Sequence, residues 1–358
     1  MKRKIAIVAA LLAILAGLAV VFGRGAIGER AFQAALDKNV GVDQAAKLGD
    51  GLHAYVCGSG SPMPDADRAG PCIAVLAGNQ AFIFDSGSGS IRKLMRMGFP
   101  MTKVQAEFLT HLHSDHIDGL GEALLQAWVG GARSAPLPVY GPAGTDQVVA
   151  GLNAAYKLDQ GYRVAHHGPT VVDAAGAGGK PIVISLPQDQ ASGVIYDQGG
   201  VKVIAFLVNH KPIEPALGYR IEYKGRAITI SGDTIYDENL VSVAKGSDVL
   251  FHEALNKDMV AALGAKLAER GQTKNAQIMT DIQNYHASPE DAARAASKAG
   301  VGTLVLYHLV PPLPSNLIEP MFLGKAPDLF SGQLLVGKDG MIVSLPAGGK
   351  DVKITSAW

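Results

Sequence analysis

The chain has 358 residues, of which 48% are hydrophobic and 18% charged, so it is long enough for one large core or two small ones. Its 32 basic and 32 acidic side chains give a formal net charge of zero. No basic block follows the N-terminus to attract nucleic acid, which argues against a polynucleotide substrate without excluding one.

The first predicted element is a membrane-targeting segment over residues 1–23. "MKRK" precedes the apolar run "IAIVAALLAILAGLAVVF", which is close to the minimum length for spanning a bilayer. The next residues lack a clean small-x-small site, which favours an uncleaved anchor, although Gly23 and Gly25 leave a cleaved signal peptide open. With the basic residues kept inside, we expect an inner-membrane anchor and a periplasmic catalytic domain, or a secreted domain after cleavage.

Residues 24–50 are predicted to form an amphipathic stalk or linker, and residues 51–358 a single domain without internal repeats. Cys57 and Cys72 fall in two short predicted strands joined by a loop. A disulfide in an oxidising compartment and a pair of small buried apolar side chains are both open for them.

The domain alternates β-rich runs with alanine-rich helical runs, which predicts an α/β or α+β architecture. "GYRIEYKGRAITI" predicts a hairpin that turns at Lys224-Gly225. "HASPEDAARAASKAG" predicts a helix with Ser288 as N-cap, Asp291 completing the capping box and Gly300 after its end. The Gly- and Pro-rich residues 166–200 predict a long surface loop that contains one short strand.

"THLHSDHIDGL" concentrates potential metal ligands directly after a predicted strand. His111 and His113 lie two apart on extended backbone, so their side chains point the same way. Asp115 and His116 follow in the turn that begins a helix. Imidazole nitrogens and carboxylate oxygens are ligands that zinc accepts, and four of them can serve two adjacent ions.

Further potential ligands end three other predicted strands. His210 ends "VKVIAFLVNH", Asp233 ends "AITISGD" and His308 ends "GTLVLYH". Ligands that come from several strand ends converge on one cleft in open α/β sheets. The pattern therefore predicts a two-metal site at one edge of the fold.

These motifs resemble the metallo-β-lactamase fold superfamily, and within it the ribonuclease Z, phosphodiesterase and arylsulfatase-like branch. The resemblance covers roughly residues 52–345 and rests on "THLHSDH", "VNH", "SGDT", "FHEA", "HASPED" and "YHLVPP". It implies an αββα sandwich, in which two mixed sheets pack face to face and helices flank them.

The resemblance also implies roles for individual residues. His111, His113 and His210 would hold one zinc ion, Asp115, His116 and His308 a second, and Asp233 would bridge the two. Two such ions make hydroxide available near neutral pH, and Asp115 can orient it. Glu253 and His286 match the pair that assists the leaving group in ribonuclease Z enzymes. The catalytic residues expected are therefore Asp115, Glu253 and His286.

The expected function is hydrolysis of phosphodiester bonds by a metal-bridging hydroxide, with a small ester or phosphodiester as substrate. An esterase, lactonase or arylsulfatase of the same fold is the alternative, as is a non-catalytic zinc-stabilised binding module. The region of the family's basic tRNA-binding arm, residues 151–200, is acidic to neutral in its second half, which argues against tRNA 3′-end processing. The resemblance suggests a dimer, although the sequence itself does not fix the oligomeric state.

Overall fold

A computed structural model describes residues 2–187 and 189–358 of the chain. The chain divides into two compact units, one ending at Gln44 and the other running from Ala45 to Trp358. In the first unit a single helix, α1, spans Lys2–Asn39 and contains the whole apolar run. The helix continues past that run through the charged residues Arg24 and Glu29.

The predicted membrane anchor has no counterpart in this helix. Across the described residues 2–187 and 189–358, no helix combines the length and the apolar character needed to cross a membrane. The predictions of a membrane or signal anchor and of a periplasmic location are wrong on this finding.

The second unit contains two β-sheets. Its strands, in chain order, are β1 Gly51–Gly58, β2 Cys72–Ala77, β3 Gln80–Phe84, β4 Val104–Phe108, β5 Leu137–Gly141, β6 Gly179–Val183, β7 Ser192–Gln198, β8 Val201–His210, β9 Ile213–Tyr223, β10 Arg226–Ile230, β11 Val249–Leu255, β12 Thr303–Val310, β13 Gln333–Val336, β14 Met341–Pro346 and β15 Lys353–Ser356. The spatial order is β15-β14-β1-β2-β3-β4-β5-β6 in one sheet and β13-β12-β11-β10-β9-β8-β7 in the other.

Short helices connect and cover these strands. They are, in chain order, α2 Ser90–Arg96, α3 Ser114–Ile117, α4 Leu120–Leu125, α5 Thr145–Ala155, α6 Lys157–His167, α7 Glu238–Ala244, α8 Lys257–Glu269, α9 Thr273–Asp281, α10 Pro289–Ala299, α11 Glu319–Leu323 and α12 Ala326–Leu329.

Both sheets are mixed, and they pack face to face. Strands β3 to β6 pair in parallel, as do β10 to β13, while the other pairs are antiparallel. The core between the sheets contains Phe82, Phe108, Tyr219 and Val305. Helices α2, α4 and α5 cover the outer face of the first sheet, and α7, α10 and α12 cover that of the second. The predicted αββα sandwich is confirmed.

Central strands read as continuous apolar runs because both of their faces are buried. Every residue of β2, "CIAVLA", is buried between the inner core and the outer helices. Cys57 of β1 and Cys72 of β2 lie on these adjacent strands and are joined by a disulfide. Of the two interpretations that the sequence left open, the structure has the bonded pair.

Three local predictions can be compared with the structure. The hairpin between β9 and β10 turns at Lys224-Gly225, where both residues have positive φ. Helix α10 has the predicted capping box, and Gly300 ends it at φ 70°. The single long loop over residues 166–200 is wrong, because this segment supplies two strands, β6 and β7, one at the edge of each sheet. Edge strands tolerate the glycines and prolines that made it resemble a loop.

Candidate metal centre

The first sheet contributes the opening histidine motif to the candidate site. His111 and His113 follow β4 on non-helical backbone, and Asp115 and His116 lie on the single turn of α3. His111 and His116 are fully buried, whereas Asp115 keeps 14% of its side chain exposed. The short spacing thus delivers four donors to one point at the end of a parallel strand.

The second sheet contributes the remaining donors from neighbouring strands. His210 is the last residue of β8, and Asp233 follows β10 in the segment before α7. Glu253 lies within β11, and His286 lies just before α10. His308 does not end its strand as the sequence predicted but lies within β12.

A β-bulge places His308. Glu253 pairs with Tyr307 and Ala254 with Leu309, so His308 has no partner on β11. Its φ of 47° lies in the left-handed region, which is uncommon outside glycine. A bulge of this kind redirects one side chain, and here it directs the imidazole to Asp115 and Asp233.

One carboxylate oxygen, Oδ2 of Asp233, is the centre of the cluster. Five imidazole nitrogens lie within 4 Å of it: His116 Nε2 and His308 Nε2 at 3.4 Å, His111 Nε2 at 3.8 Å, and His210 Nε2 and His286 Nδ1 at 3.9 Å. A carboxylate surrounded in this way can contact ions held on either side of it.

Two of the groups of three donors in the cluster include neither Asp233 nor Glu253. One group is His111, His113 and His210, with 2.8 Å between His111 Nε2 and His113 Nδ1. The other is Asp115, His116 and His308, with 3.2 Å between Asp115 Oδ2 and His308 Nε2. The donor atoms within each group lie within 4.8 Å of one another. They are the sets that the resemblance implied, but the same donors also form three groups that include Asp233 or Glu253, so the division between two ions stays a prediction.

Glu253 and His286 form a separate buried pair beside the cluster. His286 Nδ1 lies 3.0 Å from Glu253 Oε1, which also accepts hydrogen bonds from the backbone N–H groups of Ala287 and Thr234. Burial lowers the pKa of His286, but the charge of Glu253 and its hydrogen bond outweigh burial and raise the pKa to about 9. The imidazole is therefore held in a fixed position by an anchored carboxylate.

The protonation of the cluster suits cation binding. Burial lowers the pKa of His111, His113 and His210, which favours the neutral imidazole that binds metals. Burial opposes ionisation of Asp233, but the imidazoles of His308 and His116 hold its pKa well below the usual range. Burial also lowers the pKa of His116, but the carboxylates of Asp233 and Asp85 outweigh burial and raise it well above the usual range. A cation bound at His116 would therefore release a proton from this imidazole.

Unpaired buried polar atoms also indicate that the donor set suits divalent metal ions. Four of its buried polar atoms have no hydrogen-bond partner among the described residues: His116 Nε2, His210 Nε2, His308 Nδ1 and Asp233 Oδ1. Buried polar atoms are rarely left unpaired, because each costs the free energy of its lost hydration. Nitrogen and carboxylate donors of this kind are those that zinc and similar ions accept.

Two supporting contacts were missed by the sequence analysis. Asp85, directly after β3, places Oδ2 2.8 Å from His116 Nδ1 and accepts hydrogen bonds from the N–H and hydroxyl of Thr110. The carbonyl of Tyr285 lies 2.9 Å from His210 Nδ1. Such contacts fix the orientation and tautomer of ligand histidines. Asp85 ends "AFIFD" as Asp233 ends "AITISGD", and that shared position was the available signal.

Comparison with known proteins places this geometry in a family. The protein-family model described as "Beta-lactamase superfamily domain" matches residues 81–309 of this chain. The chain is 38% identical to the ribonuclease Z of Mycobacterium bovis strain BCG / Pasteur 1173P2 and 36% identical to that of Mycobacterium tuberculosis strain H37Rv. Each match covers 80% of this chain and 96% of the relative.

Two crystal structures have the same fold. Human tRNase Z, short form, superposes with a TM-score of 0.58 at 21% sequence identity. The match covers 82% of this chain and 99% of the human chain. The metallo-beta-lactamase fold protein YhfI from Bacillus subtilis superposes with a TM-score of 0.57 at 21% identity, covering 83% and 100%.

Proposed function

The chain belongs to the metallo-β-lactamase superfamily and to its ribonuclease Z branch, and on that premise we propose that it is a two-zinc phosphodiesterase. It is a metal-dependent hydrolase that acts on phosphodiester bonds. We assign this activity to residues 51–358. The observation that carries the proposal is the convergence of five imidazoles on the single oxygen Asp233 Oδ2.

In the proposed assignment, His111, His113 and His210 would hold one ion, and Asp115, His116 and His308 would hold a second. Asp233 would be a ligand shared by both. When bound, the ions supply Lewis acidity, which activates water near neutral pH and offsets negative charge on the phosphoryl group.

The protein residues orient the reacting groups and move protons. Asp115 is the most exposed carboxylate of the cluster, so its oxygen can accept a hydrogen bond from the attacking water and orient it. His286, held by Glu253, donates a proton to the departing oxygen. The buried carboxylate stabilises the imidazolium that donates this proton and holds the ring in position.

RNA is a substrate class to test, because the relatives carry the name ribonuclease Z, although the charge balance of this chain argued against nucleic acid. A small phosphodiester is the other class. Both substrate classes would place a phosphodiester group at the same cluster, so the residue roles given above apply to RNA and to a small phosphodiester.

The test compares two aspartates that lie at opposite ends of β10. Asp233→Asn is expected to lower the metal content below two per chain and to reduce kcat/KM for bis(p-nitrophenyl) phosphate on the order of 100-fold or more. Asp248→Asn is the matched control, since Asp248 contacts the other end of the strand, at Arg226 and the N–H of Ala227. Wild-type protein that binds no divalent ion after reconstitution and hydrolyses no phosphodiester would refute the proposal.

A further inference from the structure

A large apolar cavity opens directly beside the candidate metal centre. Its volume is about 580 Å³, and His286 and His308 form part of its wall. The cavity is therefore continuous with the groups that would surround a reacting phosphoryl group. Clefts of this size accommodate small-molecule ligands.

The cavity wall is mostly apolar and comes from three parts of the fold. Its polar members are Ser61, Asn275, His286 and His308. Helices α8 and α9 contribute Leu263, Leu267 and Ile278, the loop after β1 contributes Met63, and the end of β12 contributes Val310. Ile278 is 50% exposed and Leu263 37% exposed, although both are large aliphatic side chains. Clustered exposed apolar side chains indicate a surface that binds an apolar partner.

The loop that forms one wall is held in place by one ion pair and several hydrogen bonds. Asp339 accepts hydrogen bonds from the N–H and hydroxyl of Ser59 and from the N–H of Ala69, and Lys93 pairs with it at 2.5 Å. Arg68 donates to Ser59 Oγ at 2.6 Å. Both ends of the loop are thereby fixed, so the wall around Met63 is formed before a ligand binds.

The lining does not suit a nucleic-acid chain. Among the described residues, no lysine, arginine, aspartate, glutamate, phenylalanine, tyrosine or tryptophan lines this cavity. Single-stranded nucleic acids are bound by cationic side chains at the phosphates and by aromatic side chains at the bases. An uncharged aliphatic or aryl group matches the lining instead.

We propose that this cavity binds an apolar substituent of the substrate, so that the enzyme acts on phosphodiesters that carry an alkyl or aryl group. The inference rests on the proposed function, because the metal centre places the phosphoryl group and the cavity receives its neighbour. Burial of each methylene then contributes about 0.8 kcal/mol, which corresponds to a threefold to fourfold gain in kcat/KM per methylene.

The experiment uses the full, metal-loaded chain and a series of alkyl p-nitrophenyl phosphates from methyl to octyl. We expect kcat/KM to rise about threefold to fourfold per methylene over the first few carbons. Ile278→Asn should flatten this dependence, so that its kcat/KM relative to the wild type falls as the alkyl chain lengthens. Leu158→Asn on α6, an exposed leucine outside the cavity, is the matched control and should retain the wild-type dependence.

A binding measurement separates this inference from the proposed function. Alkylphosphonates, which are not hydrolysed, are titrated calorimetrically and should bind more tightly with chain length and with a negative heat-capacity change. Turnover of the methyl substrate without any chain-length dependence overturns the inference alone. A chain-length dependence of phosphonate affinity without any turnover supports the cavity and overturns the phosphodiesterase. Faster cleavage of an oligoribonucleotide, with no alkyl preference, overturns the apolar substrate class.

Discussion

Asp85→Asn tests whether a single carboxylate outside the proposed ligand set controls one of the two proposed metal positions. Asp85 has a φ of 55°, a conformation that asparagine adopts readily, so the backbone should be unchanged. The retained side-chain oxygen can still accept the hydrogen bond from the N–H of Thr110, which lies 2.8 Å from Asp85 Oδ1 in the wild-type chain. The change is therefore confined to the position of Oδ2, which faces His116 and also accepts a hydrogen bond from the hydroxyl of Thr110.

The expected effect follows from the tautomer of His116. Asp85 Oδ2 accepts a hydrogen bond from His116 Nδ1 at 2.8 Å, which keeps the proton on Nδ1 and leaves Nε2, 3.4 Å from Asp233, free to bind an ion. An asparagine N–H at this position favours the tautomer that carries its proton on Nε2. Loss of such a supporting contact weakens metal binding about 10- to 100-fold, or about 1.4 to 2.8 kcal/mol.

The assay is a zinc titration against a competing chelator, with circular dichroism as the check on folding. In Asp85→Asn we expect the affinity for one of the two ions to fall and the affinity for the other to stay the same. The second ion is unaffected because the group of His111, His113 and His210 does not include His116. Asp248→Asn, which changes a carboxylate bonded to Ala227 at the start of β10, should bind as the wild type does. Two ions with unchanged affinities in Asp85→Asn would refute the reasoning.

Two further predictions concern other buried groups. His286→Ala should lower kcat on the order of 100-fold for phosphodiesters with poor alcohol leaving groups and much less for p-nitrophenolate, which needs no proton; an equal loss for both would remove His286 as proton donor. Burial raises the pKa of Glu107 to about 8, above its ordinary value of 4.5, so its contribution to stability is full below about pH 4.5 and is lost as the pH rises to 8. Glu107→Gln should remove up to about 1.4 kcal/mol per pH unit from the slope of the unfolding free energy across this window, measured by urea unfolding; an unchanged slope would show that Glu107 ionises normally.

The fold and most of the site could be predicted because their signals are local. The hydrophobic runs of β2 and β11 report burial on both faces, and the capping box of α10 reports a helix start within four residues. The ligand motif is equally local, since strand-end positions bring its members to one edge. Segments without such signals were predicted poorly. The edge strands β6 and β7 have few apolar residues to bury, and the apolar run of α1 lacks a signal for where its helix ends.

The site also depends on backbone conformations that residue types do not reveal. Four described non-glycine residues have positive φ, and two of them, Asp85 and His308, contact His116 or Asp233 directly. Each such conformation costs of order 1 kcal/mol or more, and it persists only where the surrounding structure enforces it. For His308 the enforcing structure is the parallel ladder between β11 and β12, which resumes at Ala254 and Leu309 after the bulge. The ligand geometry is thus set by pairing between strands about fifty residues apart, and a motif read along one strand cannot contain that information.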